Sequence, residues 1–204
     1  MRRFTFLAVA LVALAAIAYV RSGAPPAAKP SAGQNVIAFG DSLVTGRGAS
    51  AGRDFVSVLS NRLRVPIVNA GRSGDTTETA LARVDRDVLS RSPRIVLVVL
   101  GGNDFLRRVP RQQTFTNLAT IVDRIRRRGA AVVVVGVSSG IFSDPDRGAY
   151  EAVARGALAG FVPDILDGII GHGDLMSDSI HPNDRGYEMM ADRLEPVLRE
   201  LVEN

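Results

Sequence analysis

The chain has 204 residues, 46% of them hydrophobic and 23% charged, which is enough for one well-buried domain once the N-terminus is set aside. The absence of cysteine excludes disulfides, thiolate zinc sites, a cysteine nucleophile and thiol-anchored lipidation, and two histidines, His172 and His181, are too few for a histidine-rich metal centre. The formal charge of +4 brings no nucleic-acid motif with it. Arg124, Arg126, Arg127 and Arg128 fall in the last turn of a predicted helix before Gly129, where cations complement the helix dipole, and no nucleic-acid partner is expected.

Met1-Arg2-Arg3 precedes an uncharged apolar run from Phe4 to Val20, with the charged start and apolar middle of an export signal. Its 17 residues exceed a usual signal core and just reach the lower limit for a membrane span, so cleavage and retention as an inner-membrane tether are both open. Residues 1–20 are therefore assigned to a signal peptide or anchor, and Arg2 and Arg3 on the cytoplasmic side place the remainder outside the inner membrane. The Ala/Pro/Ser/Gly composition of residues 21–34 reads as a flexible linker, leaving 35–204 as the folded domain.

Within that domain, Val36 to Phe39, Pro66 to Asn69, Ile95 to Leu100 and Ala131 to Val137 are apolar throughout instead of alternating, as strands buried on both faces are. Between them, three sets share helical faces: Phe55, Val58, Leu59 and Leu63; Leu81, Val84, Val88 and Leu89; and Leu118, Ile121, Val122 and Ile125. Asp75 and Glu78 fit a capping box opening the second helix. A short helix is expected near Ala149 to Arg155 and a fifth strand near Ala157 to Val162. A closing helix from Asn183 buries Tyr187, Met190, Leu194, Val197, Leu198 and Leu201. This order predicts a three-layer α/β/α sandwich on a parallel sheet, with the loops 40–48, 70–75, 101–105 and 176–183 meeting at the carboxyl edge.

Ser42 ends the first strand in Gly40-Asp41-Ser42-Leu43, where ligands gather in open parallel sheets; it suits a nucleophile, but a helix N-cap is the commoner use of such a turn, and partners elsewhere must decide. A serine hydrolase also needs a base, an acid to orient the base, and donors for the oxyanion. His181 lies three residues after Asp178, close enough for the carboxylate to accept the Nδ1 proton within one loop, and Pro182 biases His181 away from helix. His172, between two glycines and without a similarly placed carboxylate, fits a solvated loop residue better. Candidate oxyanion donors are the Ser42 amide, the Gly74 amide and the Asn103 side chain; Gly74 and Asn103 are also ordinary turn residues.

Gly40-Asp41-Ser42-Leu43, Asn69 to Thr76, Gly102-Asn103-Asp104 and Asp178 to Pro182 together resemble the blocks of the SGNH, or GDSL-type, hydrolase family. The resemblance implies a flavodoxin-like five-stranded parallel sheet, Ser42 as nucleophile, His181 as base, Asp178 as its orienter, and Ser42, Gly74 and Asn103 as the oxyanion hole. Val44 stands where the second glycine of a Gly-x-Ser-x-Gly elbow would be, so the chain is not of the α/β-hydrolase type. Leu100 to Leu106, Gln112-Gln113-Thr114 and Asp75-Thr76-Thr77 are similar to the periplasmic thioesterase I, lysophospholipase and arylesterase branch. Members of that branch usually carry a Pro-Asn-Tyr-Gly type loop after the fourth strand, where this chain has Ser138 to Pro145.

These features imply an exported serine esterase acting on short- to medium-chain acyl esters or thioesters, with no metal and no organic cofactor expected, and with Leu43, Ile141, Phe142 and Ile180 as expected pocket residues. The altered loop offers only Ile141 and Phe142 as large apolar groups, which predicts a preference for short chains. Two alternatives stand beside it: an envelope carbohydrate O-acetylesterase, and an anchored interaction domain that keeps the fold without catalysis.

Overall fold

The structure is a computed structural model that describes residues 27–137 and 146–203. The candidate signal or tether (4–20) and the loop carrying Ile141 and Phe142 lie outside the described residues. Five parallel strands, β1 (Asn35–Gly40), β2 (Ile67–Gly71), β3 (Pro93–Val99), β4 (Ala131–Val135) and β5 (Gly160–Val162), form one sheet in the order β2-β1-β3-β4-β5. The helices are α1 (Ser42–Thr45), α2 (Phe55–Leu63), α3 (Thr77–Asp87), α4 (Gly102–Leu106), α5 (Arg111–Arg126), α6 (Arg147–Gly156) and α7 (Asp184–Glu203). The flavodoxin-like α/β sandwich expected from the sequence is the fold of the protein.

Burial on both faces explains the unbroken apolar strands. Val36 and Ala38 of β1 face a core shared with α2 and α7, and Ile37 and Phe39 face a second core shared with α3 and α5. Tyr187, Met190, Leu194, Val197, Leu198 and Leu201 of α7 all lie in the first of these cores, as their spacing predicts. Strand order reverses direction between β1 and β3, and at such a switch point the chain leaves a crevice outside the carboxyl ends, where ligands bind.

Several local expectations are corrected. The cap of α3 is Thr76, whose hydroxyl accepts from the Thr79 amide while the Thr79 hydroxyl accepts from the Thr76 amide; Asp75 and Glu78 do not form the box. Asp75 is drawn away by a buried ion pair with Arg83. The same helix ends at Asp87, with Leu89 in a separate 3₁₀ turn and Leu81 only partly buried, because its inner face carries Thr77, Ala80, Arg83 and Val84. The fifth strand starts at Gly160 instead of Ala157, since Ala157 caps α6 and Leu158 turns at φ 51°. Within the expected linker, residues 27–34 run along the amino edge, where Ala28 donates to Leu158 O (2.8 Å), Ser31 to Gly129 O (2.8 Å) and Gln34 to Ser92 O (2.9 Å). Among the described residues no helix is long and apolar enough to cross a membrane.

Candidate active site

The turn after β1 places Ser42 at the first position of α1, and Asp41 is its N-cap, accepting from the Leu43 amide at 3.0 Å. Asn69 holds the far side of this turn by donating to Val44 O (2.6 Å). The turn is also locked to the histidine loop: a Cβ on Gly48 would lie 2.1 Å from Ser177 Oγ and 2.6 Å from Pro182 O, and Tyr187 donates its hydroxyl to Arg47 O (2.8 Å).

The histidine loop closes on itself. Met176 and Pro182 form an antiparallel bridge, and Ser177 donates both its amide (2.9 Å) and its hydroxyl (3.0 Å) to His181 O. Asp178 Oδ1 accepts from the amides of Ile180 (2.9 Å) and His181 (2.8 Å), which turns its Oδ2 to within 2.7 Å of His181 Nδ1. The Ile180 N–H, followed by the His181 ring, holds the Asp178 carboxyl down at about 2, so it is an acceptor throughout the neutral range and the proton sits on Nδ1. His181 Nε2 is left as an acceptor, 3.0 Å from Ser42 Oγ. Hydroxyl, imidazole and carboxylate thus stand in series, an order that lets the ring take the hydroxyl proton as the oxygen attacks. His172 is exposed on a separate turn.

The segments that follow β2 and β3 carry Gly74 and Asn103. Gly74 has φ +83°, a conformation that favours glycine, and Arg107 donates to its carbonyl at 2.8 Å. Asn103 Nδ2 lies 3.1 Å from Asp41 Oδ2 and 3.0 Å from Asp75 O. Asp41 is 2% exposed; burial pushes its carboxyl up to about 6, the Leu43 and Asn103 bonds oppose the rise, and Asp75 and Asp104 add to it. Asp104, also buried, accepts from the Thr77 amide (2.9 Å) and hydroxyl (2.6 Å) and so ties α4 to the start of α3.

Beneath this half of the site lies Arg83, 4% exposed. Its guanidinium donates to the Asp75 carboxylate, to Ala70 O (3.0 Å), to Gly40 O (2.9 Å) and to Asp87 (3.0 Å), and stacks over the Phe39 ring at 4.4 Å. One cation therefore fastens the carboxyl ends of β1 and β2 to the loop bearing Gly74. Sequence reasoning did not select Arg83; the available signal was a charged residue on the face shared by Ala80 and Val84, four residues before Asp87.

The expected pocket residues separate. Leu43 is buried in the core with α2 and α7, whereas Ile180 is 40% exposed beside His181. Phe105 (52% exposed) and Leu106 (54%) follow Asn103 on α4 and present apolar surface that the sequence reading did not single out. A depression of about 740 Å³ between α5 and α6, lined by Arg111, Phe115, Ala119 and Ala149 among others, contains none of the Ser42, Asp178 or His181 side chains. Among the described residues no group of three His, Asp or Glu side chains converges to hold a metal ion.

A model of the GDSL-like lipase/acylhydrolase family matches residues 38–189. The esterase TesA of Pseudomonas aeruginosa is 30% identical over 187 residues, covering 84% of this chain and 91% of that protein. Thioesterase 1/protease 1/lysophospholipase L1 of Escherichia coli (strain K12) is 28% identical over 182 residues, covering 85% of this chain and 88% of the relative. A crystal structure of TesA has a TM-score of 0.77 and 31% identity, covering 82% of this chain and 99% of that one. The sequence blocks, the sheet order and these matches agree: the chain belongs to the GDSL-like lipase/acylhydrolase family and is a carboxylic ester hydrolase of the SGNH type.

Proposed function

We propose that the protein is an exported serine esterase that hydrolyses short- to medium-chain acyl esters or thioesters through an acyl-enzyme on Ser42. The observation that carries this reading is the series Ser42 Oγ, His181 Nε2 (3.0 Å) and His181 Nδ1, Asp178 Oδ2 (2.7 Å). Ser42 Oγ attacks the acyl carbon while His181 Nε2 takes its proton. Asp178, already ionised, stabilises the imidazolium without becoming protonated. The tetrahedral oxygen is received by the Ser42 and Gly74 amides and by Asn103 Nδ2. Collapse expels the alcohol or thiol with the proton from Nε2, and water repeats the sequence in reverse to release the acid.

Among the described residues the Ser42 and Gly74 N–H groups have no hydrogen-bond acceptor, which leaves both to a ligand oxygen. The names of the relatives, an esterase and a thioesterase/lysophospholipase, favour acyl esters and thioesters as the substrate class. Export rests on Arg2, Arg3 and the apolar run from Phe4 to Val20, with the catalytic domain outside the inner membrane whether that run is cleaved or kept as a tether.

Apolar contact near the reacting centre is assigned to Ile180, Phe105 and Leu106, and Ile141 and Phe142, which lie outside the described residues, keep the pocket role that the sequence suggests. Each methylene that finds a partner adds about 0.8 kcal/mol, so a site with few such groups gains little from long chains. A p-nitrophenyl ester series from acetate to palmitate tests this: kcat/KM is expected to peak at about two to six carbons and fall beyond. A steady rise to chains of twelve or more carbons contradicts it. Loss of all turnover in Ser42→Ala is the accompanying control for the chemistry.

A further inference from the structure

We propose that Asp41 is a positioning residue of the ester hydrolase, whose buried carboxylate orients the Asn103 amide toward Ser42 and couples that amide to the turn bearing the nucleophile. The proposal rests on the reading of Asn103 as an oxyanion donor. An asparagine side chain serves that purpose only if its NH₂, and not its carbonyl, faces the reacting oxygen, and the two orientations differ by a simple flip. Around Asn103 Nδ2 the structure places two groups that only accept: the ionised Asp41 carboxylate at 3.1 Å and Asp75 O at 3.0 Å. Together they select the donor orientation. The second oxygen of Asp41 accepts from the Leu43 amide at 3.0 Å, so one carboxylate links the start of α1, where Ser42 sits, to the loop that leaves β3.

Helix capping alone does not explain a carboxylate here. Asn, Ser and Thr cap as well as Asp and bring no charge into a site that is 2% exposed. The ion is disfavoured where it stands, as the upward displacement of its titration shows, and two further acids, Asp75 and Asp104, add to that penalty. A group held against its own solvation is expected where it serves the chemistry and not the fold.

The arrangement also separates ground state from transition state. Both Nδ2 hydrogens have protein acceptors in the resting site, so a substrate oxygen must compete with Asp41 or Asp75 O for one of them. A neutral ester carbonyl competes poorly, and a developing oxyanion competes well. The contribution of the Asp41–Asn103 pair therefore falls on kcat, with KM little changed.

The test compares Asp41→Asn, Asp41→Ser, Asn103→Ala and the double variant Asp41→Asn/Asn103→Ala in the full chain, with p-nitrophenyl acetate and butyrate. Asp41→Asn and Asp41→Ser keep a cap for the Leu43 amide but lose the carboxylate at Asn103. Each is expected to lower kcat about 10- to 100-fold with KM within about threefold, and Asn103→Ala to lower kcat about 10²- to 10³-fold. The double variant should be no slower than Asn103→Ala beyond about threefold, because both changes remove one unit. Thermal unfolding at pH 7 should show Asp41→Asn at least as stable as the parent. Multiplicative losses, wild-type kcat in either Asp41 variant, or losses of activity that follow the unfolded fraction would each overturn the proposal. An unchanged kcat in Asn103→Ala would overturn the oxyanion reading itself, an outcome separate from the first three.

Discussion

The two halves of the site are built in opposite ways. The proposed acid–base half is a single short loop, 176–182, closed by its own hydrogen bonds, in which Asp178 keeps a side chain 46% exposed. The proposed oxyanion half draws on the ends of β1, β2 and β3 and on α3, and its polar members Asp41, Asp75, Arg83 and Asp104 are all buried. A charged pair in water is worth little to stability, whereas a buried charge stripped of its partner is worth several kcal/mol against it. The loop can thus be disabled with the fold intact, but the Arg83–Asp75 pair beneath Asn103 cannot be broken without loosening the ends of β1 and β2.

The largest effects are expected at the join of the two halves. Ser42→Ala, and His181→Gln to keep side-chain volume, should each lower kcat/KM on a p-nitrophenyl ester by at least about 10⁴-fold, since nucleophile and base act as one unit. Unfolding free energies should stay within about 1 kcal/mol of wild type for Ser42→Ala. Activity in either variant within tenfold of wild type, on protein free of host esterase, would break the assignment.

The next effect sharpens the contrast between buried and exposed acids. Arg83→Met leaves Asp75 buried without its cation and unfastens Gly40 O and Ala70 O, and should cost about 3–5 kcal/mol of stability in denaturant titration. Asp178→Asn should leave stability within about 1 kcal/mol while lowering kcat at least about 100-fold. If Arg83→Met proved as stable as wild type, the claim that the oxyanion half is carried by a buried ion network would fail.

Asp41 supplies a pH dependence of defined sign. Its carboxyl is raised from an unfolded value of 3.8 to about 6 in the folded protein. The contribution is therefore fully present below about pH 3.8 and is lost as pH rises through about 6, to the extent of about 3 kcal/mol. Asp41→Asn removes this loss. Measured against wild type, the variant should gain about 3 kcal/mol in relative stability between pH 3 and pH 7, read from paired unfolding curves. The Asp178 carboxyl, held at about 2, acts in the opposite direction and only below about pH 3.8, and being present in both proteins it cancels.

The smallest effect belongs to the other histidine. His172 is exposed, and the Ser42 and Asp178 side chains bond to His181 instead, so His172→Ala should change kcat/KM less than about threefold. A collapse of activity would mean that the catalytic base had been misassigned.

Much of this was legible before the structure, for physical reasons that can be named. The runs 36–39, 95–100 and 131–137 read as central strands because burial on both faces removes alternation, and Asp178 to His181 read as one unit because three residues of loop suffice to turn a carboxylate onto Nδ1. The rest depended on tertiary partners. Asp75 resembled a cap by its position and spacing to Glu78, but a buried guanidinium outcompetes a helix amide for a carboxylate, and Thr76 took the cap instead. Arg83 sits on an apolar face, where helical periodicity assigns no charge, and only the carbonyls of β1 and β2 explain it. Leu43 was expected in the pocket by its place beside Ser42, yet a four-residue helix turned it into the core. The acceptors that fix Asn103 come from residues 62 and 28 positions away, beyond any local pattern.

The most direct test of the central claim is mass spectrometry of the protein after reaction with a fluorophosphonate ester, which traps an activated serine as a stable covalent adduct. One adduct per chain is expected, on the peptide containing Ser42, with loss of esterase activity in proportion to labelling and no adduct in Ser42→Ala or His181→Gln. An adduct on another residue, or full esterase activity in protein completely labelled at Ser42, would contradict it.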